Sequence, residues 1–199
     1  MNMTSFFVEL VVTGIHTALW IALVILSLVG FRDINAESVL TLNLALPILA
    51  IAYIMGIIVD RVADRLTFQR DRQIRNEFDV KGLPSFRAMR LYVLSKSKDV
   101  YEELEYTRSR MRITRAGIVN FPLTSLALLL FIWRQLDDAL PEMSDRLIAS
   151  ALVVAVGLVL TLLSLQAWQD LTRTYTKHTI VAFQILQSGQ ATGEMAVKD

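Results

Sequence analysis

Residues 38–78 read SVLTLNLALPILAIAYIMGIIVDRVADRLTFQRDRQIRNEF, and the junction inside them decides the fold. From Val39 to Val59 the stretch is apolar and long enough for a bilayer core, which takes about 20 residues of helix. It passes without a break into Asp60-Arg61-Val62-Ala63-Asp64-Arg65 and a strongly charged continuation, a composition that belongs in water. The pattern predicts one helix that leaves the lipid near Asp60. At 1.5 Å per residue, the charged part to Phe78 would stand roughly 28 Å clear of the membrane.

The rest of the chain is built the same way. Of its 199 residues, 54% are hydrophobic and 20% charged, and the apolar ones fall into blocks of spanning length instead of short core elements. This predicts an all-α integral membrane protein with four transmembrane helices: Leu10 to Phe31, Val39 to Val59, Ala116 to Trp133 and Leu147 to Trp168. Trp133 and Trp168 sit at span ends, as interfacial aromatic anchors do. The first segment lacks a basic flank and a small-residue cleavage pattern, so it is expected to be retained as a membrane helix. Net charge is +1, so no global field draws nucleic acid, and no duplex nucleic acid is expected as a partner. With no cysteine and only two distant histidines, thiolate chemistry is excluded and neither a zinc site nor any other cofactor is expected.

Orientation follows from the basic residues. Of 20 Lys and Arg, 14 lie between Arg61 and Arg115. The positive-inside rule then puts that segment and both termini in the cytoplasm of an inner-membrane, multi-pass protein. The division expected is residues 1–59 for the first two spans, 60–115 for a cytosolic helical region, 116–168 for the last two spans, and 169–199 for a cytosolic helix and flexible tail. Within 60–115, Gly82 and Pro84 mark a turn. Ser85 to about Ser95 reads as a short amphipathic helix with Phe86, Met89 and Val93 on one side. A further helix is expected to start at Asp99, with Glu102 completing a capping box, and to run into the third span. Beyond the fourth span, Leu171, Tyr175, His178, Ala182 and Ile185 recur at helical spacing, and Ser188-Gly189 is a plausible stop before a mobile tail. Three of the four helices thus extend into an expected cytosolic helical bundle.

Several constellations could carry function. Glu9, Thr13, His16 and Trp20 share one face of the first span, and with Asn43 and Asn120 they could form a polar pore lining. As structure alone, they would join neighbouring helices by hydrogen bonds. Asp60, Arg61, Asp64 and Arg65 repeat at i, i+4 and suit either an ion-pair collar at the membrane boundary, with Glu9 or Arg115 as partners, or a charged gate. Arg108, Arg110, Arg112 and Arg115 lie just cytoplasmic of the third span. They suit anionic lipid headgroups, or an anionic cytosolic ligand such as a nucleotide. Ser150, Gly157, Thr161 and Ser164 make a small-residue strip on the fourth span that allows close helix approach.

There is no phosphate-cradling glycine loop, no GxSxG, no HExxH, no EF-hand pattern and no carbonyl-filter sequence, so an enzyme is the least expected class. Two classes remain. One is a homo-oligomeric channel or pore-forming effector gated from the cytosolic side; the other is a membrane-embedded sensor or adaptor that docks a cytosolic protein and moves no solute. The general plan is similar to that of small bacterial four-span membrane proteins that act in defence against phage, a likeness of architecture that no motif carries.

Overall fold

The computed structural model describes residues 3–30, 42–78, 82–137 and 139–196, with side chains placed for 9–30, 47–78, 82–137 and 139–188. Among the described residues the only regular elements are five helices: α1 (Met3–Val29), α2 (Leu42–Asn76), α3 (Phe86–Lys96), α4 (Lys98–Gln135) and α5 (Met143–Ala196). Among the described residues, three stretches are long and apolar enough to cross a membrane: Glu9–Val29 of α1, the whole of α4, and Met143–Ser188 of α5. Of the expected second span, residues 39–41 lie outside the described residues and Leu42 to Val59 form the first half of α2, which is not one of the three. The expected passage from Val59 into Asp60 without a break is present, since α2 is a single helix from Leu42 to Asn76.

Helix ends follow local chemistry. Gly30, at φ +94°, closes α1 by donating its N–H to the Leu26 carbonyl (2.9 Å), a backbone state that favours glycine. Ser85 caps α3, its hydroxyl oxygen accepting from the Ala88 N–H at 3.4 Å. Two expected boundaries are corrected. α4 begins at Lys98, because Ser97 is extended and its hydroxyl oxygen takes the Val100 N–H (3.5 Å); Asp99 therefore lies inside the first turn, where its charge meets the helix dipole. α5 does not stop at Ser188-Gly189 but continues to Ala196. A single interior glycine costs a helix only about 1 kcal/mol, too little to end one by itself.

The chain divides into two compact units. The first, called here the apolar unit, comprises Asn2–Leu66 and Arg112–Gln166. Its helices meet through small residues. A methyl added at Gly14 would fall on the Ala52 carbonyl oxygen, and one at Gly56 on the Leu10 carbonyl oxygen, so α1 and α2 touch backbone to backbone. On α5, Gly157 faces Ser125 of α4, and Ser164 lies 2.8 Å from where a methyl on Gly117 would be, so the small-residue strip faces α4 as close packing requires. Trp133 Nε1 donates to Ser150 Oγ (3.1 Å), and Gln135 Nε2 donates to the Ser27 carbonyl (3.0 Å). Arg146 clamps the α4–α5 turn, donating to the Leu140 carbonyl (2.7 Å) and pairing with Asp137 (2.8 Å). The apolar residues of α5 remain largely uncovered: 6% of its most apolar window is buried, against 28% in α1 and α4.

The second, charged unit comprises Thr67–Met111 and Ala167–Asp199. Its core is Ile74, Met89, Val93, Leu104, Trp168, Tyr175 and Phe183, all buried. Edge-to-face rings join α3 to α5, Phe86 on Tyr175 at 5.8 Å and Tyr92 on Phe183 at 5.1 Å. Met89 and Val93 are buried on the expected face of α3. Two further readings are corrected. Trp168 is 1% exposed, a core residue and not an interfacial anchor. The buried face of α5 runs through Trp168, Thr172, Tyr175, Thr176, Thr179 and Phe183, whereas His178 and Ile185 point outward. Each of the three threonines hides its hydroxyl by donating at 2.8 Å to the carbonyl four residues back.

Candidate functional site

In the apolar unit, the polar face of α1 meets a polar turn of α4. Thr13, Thr17 and Asn120 are buried, the last two almost completely. Asn120 sits at the centre. Its Nδ2 donates to the Thr13 carbonyl (3.4 Å), and its Oδ1 accepts from Trp20 Nε1 (3.3 Å) and is reached by the Thr17 hydroxyl (3.2 Å). That hydroxyl also reaches the Thr13 carbonyl at 3.0 Å, so one proton is shared between two acceptors. One turn on, Thr124 donates its hydroxyl proton to the Asn120 carbonyl (2.8 Å), which leaves its oxygen to accept from His16 Nε2 at 3.2 Å. The His16 ring stands edge-on to Phe121 at 5.0 Å. At the α1 start of the same face, the buried Glu9 carboxylate is 3.8 Å from Arg112.

Of the residues expected to line a pore, Glu9, Thr13, His16 and Asn120 are thus brought together, each engaged with the other helix of the same chain. Asn43 falls in the first turn of α2, with its side chain outside the described residues. Thr17 went unremarked in the sequence. The signal was present, because it lies four residues beyond Thr13 on the same helical face.

The collar forms in part. Arg115 pairs with Asp60 (2.8 Å) through one guanidinium nitrogen and with Asp64 through another, so the two acids one turn apart on α2 share a single cation from α4. Arg61 and Arg65 are exposed on α2, and among the described residues neither takes an acidic partner. The four arginines of α4 separate. Arg112 and Arg115 serve Glu9 and the two aspartates; Arg110 is exposed over the Tyr106 ring (5.8 Å). Arg108, in the charged unit, pairs with Glu105 at 3.4 Å.

Glu105 has a second cation that the sequence did not single out. Arg90 of α3 bonds its carboxylate and also donates to the Tyr101 hydroxyl (3.4 Å), with the guanidinium 5.8 Å from the Tyr101 ring centroid. Burial works against the Arg90 charge, but the oxygens of Tyr175 and Glu105 outweigh it, and its pKa is raised. Compared with protein-family models, with curated proteins and with solved structures, the chain matches none.

Proposed function

We propose that the protein is a membrane-embedded sensor or adaptor: four spans, both termini cytoplasmic, and a cytosolic helical bundle that receives a ligand or partner while no solute moves. One observation carries this preference over a channel. The polar face of α1, the face a water-filled path would need, is spent inside one chain, with Thr17 at 0% and Asn120 at 1% exposure. Hydrogen-bonded polar residues of this kind join membrane helices, and a lining must instead face water.

A second reading, the homo-oligomeric channel, is favoured by the uncovered apolar surface of α5, where other copies could pack around an axis lined by another face. Ion flux across liposomes separates the two. The sensor reading expects liposomes that stay tight; flux altered by Glu9→Gln or Asp60→Asn would overturn it. Because the chain has no cysteine, a single Thr17→Cys change supplies a clean probe. It should resist a membrane-impermeant thiol reagent, and fast labelling would favour a water-filled path along α1.

A further inference from the structure

The charged unit holds a cavity of about 270 Å³ where α2, the start of α3 and α5 meet. We infer that it binds a small amphipathic anion, a phosphate or carboxylate carried on one flat apolar group, and that this is the signal received under the sensor reading, on which the inference rests.

The cavity lining combines two chemistries. Arg72, Arg75, Asn76 and Ser85 are cationic or hydrogen-bonding, and Phe86 and Met89 are apolar. Arg75 is matched by Asp71 at 2.6 Å, and its guanidinium lies over the Phe86 ring at 5.0 Å. Its charge is thus met by Asp71, while its buried Nε takes no hydrogen-bond partner among the described residues. Arg72 differs. It is exposed, and among the described residues no carboxylate pairs with it, so an incoming anion meets an available planar fork.

The start of α3 adds to this. Its first intrahelical bond is from the Met89 N–H to the Ser85 carbonyl, so the amide of Phe86, a residue of the cavity wall, precedes the bonded ladder at the positive end of the helix. A bare inorganic anion would leave the Phe86 and Met89 wall unused, which is why the ligand should carry an apolar body. The cavity size fits a small ligand: drug-sized molecules occupy about 300–1,000 Å³, so a cavity of about 270 Å³ suits a single ring system or a mononucleotide. The anionic group could belong to a soluble metabolite or to a lipid headgroup, and the recognition chemistry is shared.

The test uses the full chain in nanodiscs of neutral phosphatidylcholine, titrated with 1-naphthyl phosphate. Saturable binding is expected, about tenfold weaker in Arg72→Gln and weaker again in Arg72→Glu. Because Arg72 is exposed, an unchanged melting temperature should accompany both variants. Inorganic phosphate and 1-naphthol should each bind far less well than the ester. A second set of nanodiscs containing phosphatidic acid separates the sources. Loss of naphthyl phosphate binding there assigns the site to an anionic headgroup, and retained binding assigns it to a soluble ligand. The inference is overturned if the ester does not bind in neutral discs, if Arg72→Glu binds it unchanged, or if phosphate alone binds as well. Tight liposomes without ester binding would remove the site and leave the sensor reading standing; ion flux with intact ester binding would do the reverse.

Discussion

The two units are made largely from stretches of the same long helices, yet their helices pack by different means. In the apolar unit the closest helix contacts come from side chains that are missing or small: Gly14 against Ala52, Gly56 against Leu10, Gly157 against Ser125, with Asn120 as a neutral hub of hydrogen bonds and charge confined to the pairs that Arg112 and Arg115 make with Glu9, Asp60 and Asp64. In the charged unit they come from large side chains and full charges, Trp168, Tyr175 and Phe183 in the core and Arg90 on Glu105 beside it. The difference follows the solvent each composition is built for. Lipid tails offer no hydrophobic gain for burying leucine, so helices gain by close backbone approach and by hydrogen bonds. In water, burying an aromatic ring is strongly favourable, at about 25 cal/mol per Å².

The sharpest way to break the comparison is to enlarge a residue where backbones touch. Gly14→Leu puts a branched side chain onto the Ala52 carbonyl, and neither partner atom can move without its helix. Overpacking usually costs about 1–3 kcal/mol, and a backbone obstacle should take this variant to the upper end or to loss of the folded form. Reversible unfolding in mixed micelles measures it. A loss below about 0.5 kcal/mol would show that α1 and α2 do not make this contact.

In the charged unit the matching change is Arg90→Met. It strands Glu105, which is 14% exposed, with only Arg108 at 3.4 Å to answer it. Removing one member of a fully buried pair costs about 3–5 kcal/mol, and with Arg90 itself 27% exposed about 2 kcal/mol is expected. Adding Glu105→Gln should recover part of that loss, since the stranded charge is gone. If the two changes simply add, the pair contributes nothing beyond packing.

Asn120→Leu tests the hub of the apolar unit. Trp20 Nε1 and the Thr17 hydroxyl lose an acceptor, though Thr17 keeps the Thr13 carbonyl. Interhelical hydrogen bonds in membrane proteins average about 0.6 kcal/mol, so a loss of about 1 kcal/mol is expected. A stabilised variant would mean that the polar turn is kept for function and not for helix association.

The sequence made some of this plain and hid the rest for physical reasons. α2 was legible at Asp60 because composition changes within one helix, and α3 was bounded by Gly82, Pro84 and Ser85. The start of α4 is ambiguous in the sequence because Ser97 and Asp99 both suit a cap. Only the end of α3 at Lys96, leaving a single residue between the helices, selects Ser97. Ala52 and Gly56 are a small-xxx-small pair that could have been noticed. Which helix they would meet was not readable, since tertiary pairing leaves no mark on one strand of sequence. The same limit applies to the candidate site. The polar face of α1 was visible, but that Asn120 would occupy it, and that Arg115 would take both Asp60 and Asp64, were not.

The α5 stripe failed for a subtler reason, and it supplies the smallest expected effect. Thr172, Thr176 and Thr179 are polar by type, so apolar periodicity points instead to Leu171, His178 and Ile185. Yet each hydroxyl donates to a carbonyl that already accepts a backbone N–H in its own helix, so it spans no gap between elements. Thr176→Val removes a hydroxyl from a fully buried position and leaves no donor or acceptor stranded. The shape is kept, and no interhelical bond is lost. The expected change in stability is within about 0.5 kcal/mol, and a small gain would be consistent. Against Asn120→Leu, equally buried and also polar to apolar, the contrast isolates what a bond across helices contributes. A loss above about 1.5 kcal/mol at Thr176 would mean that its hydroxyl reaches another element.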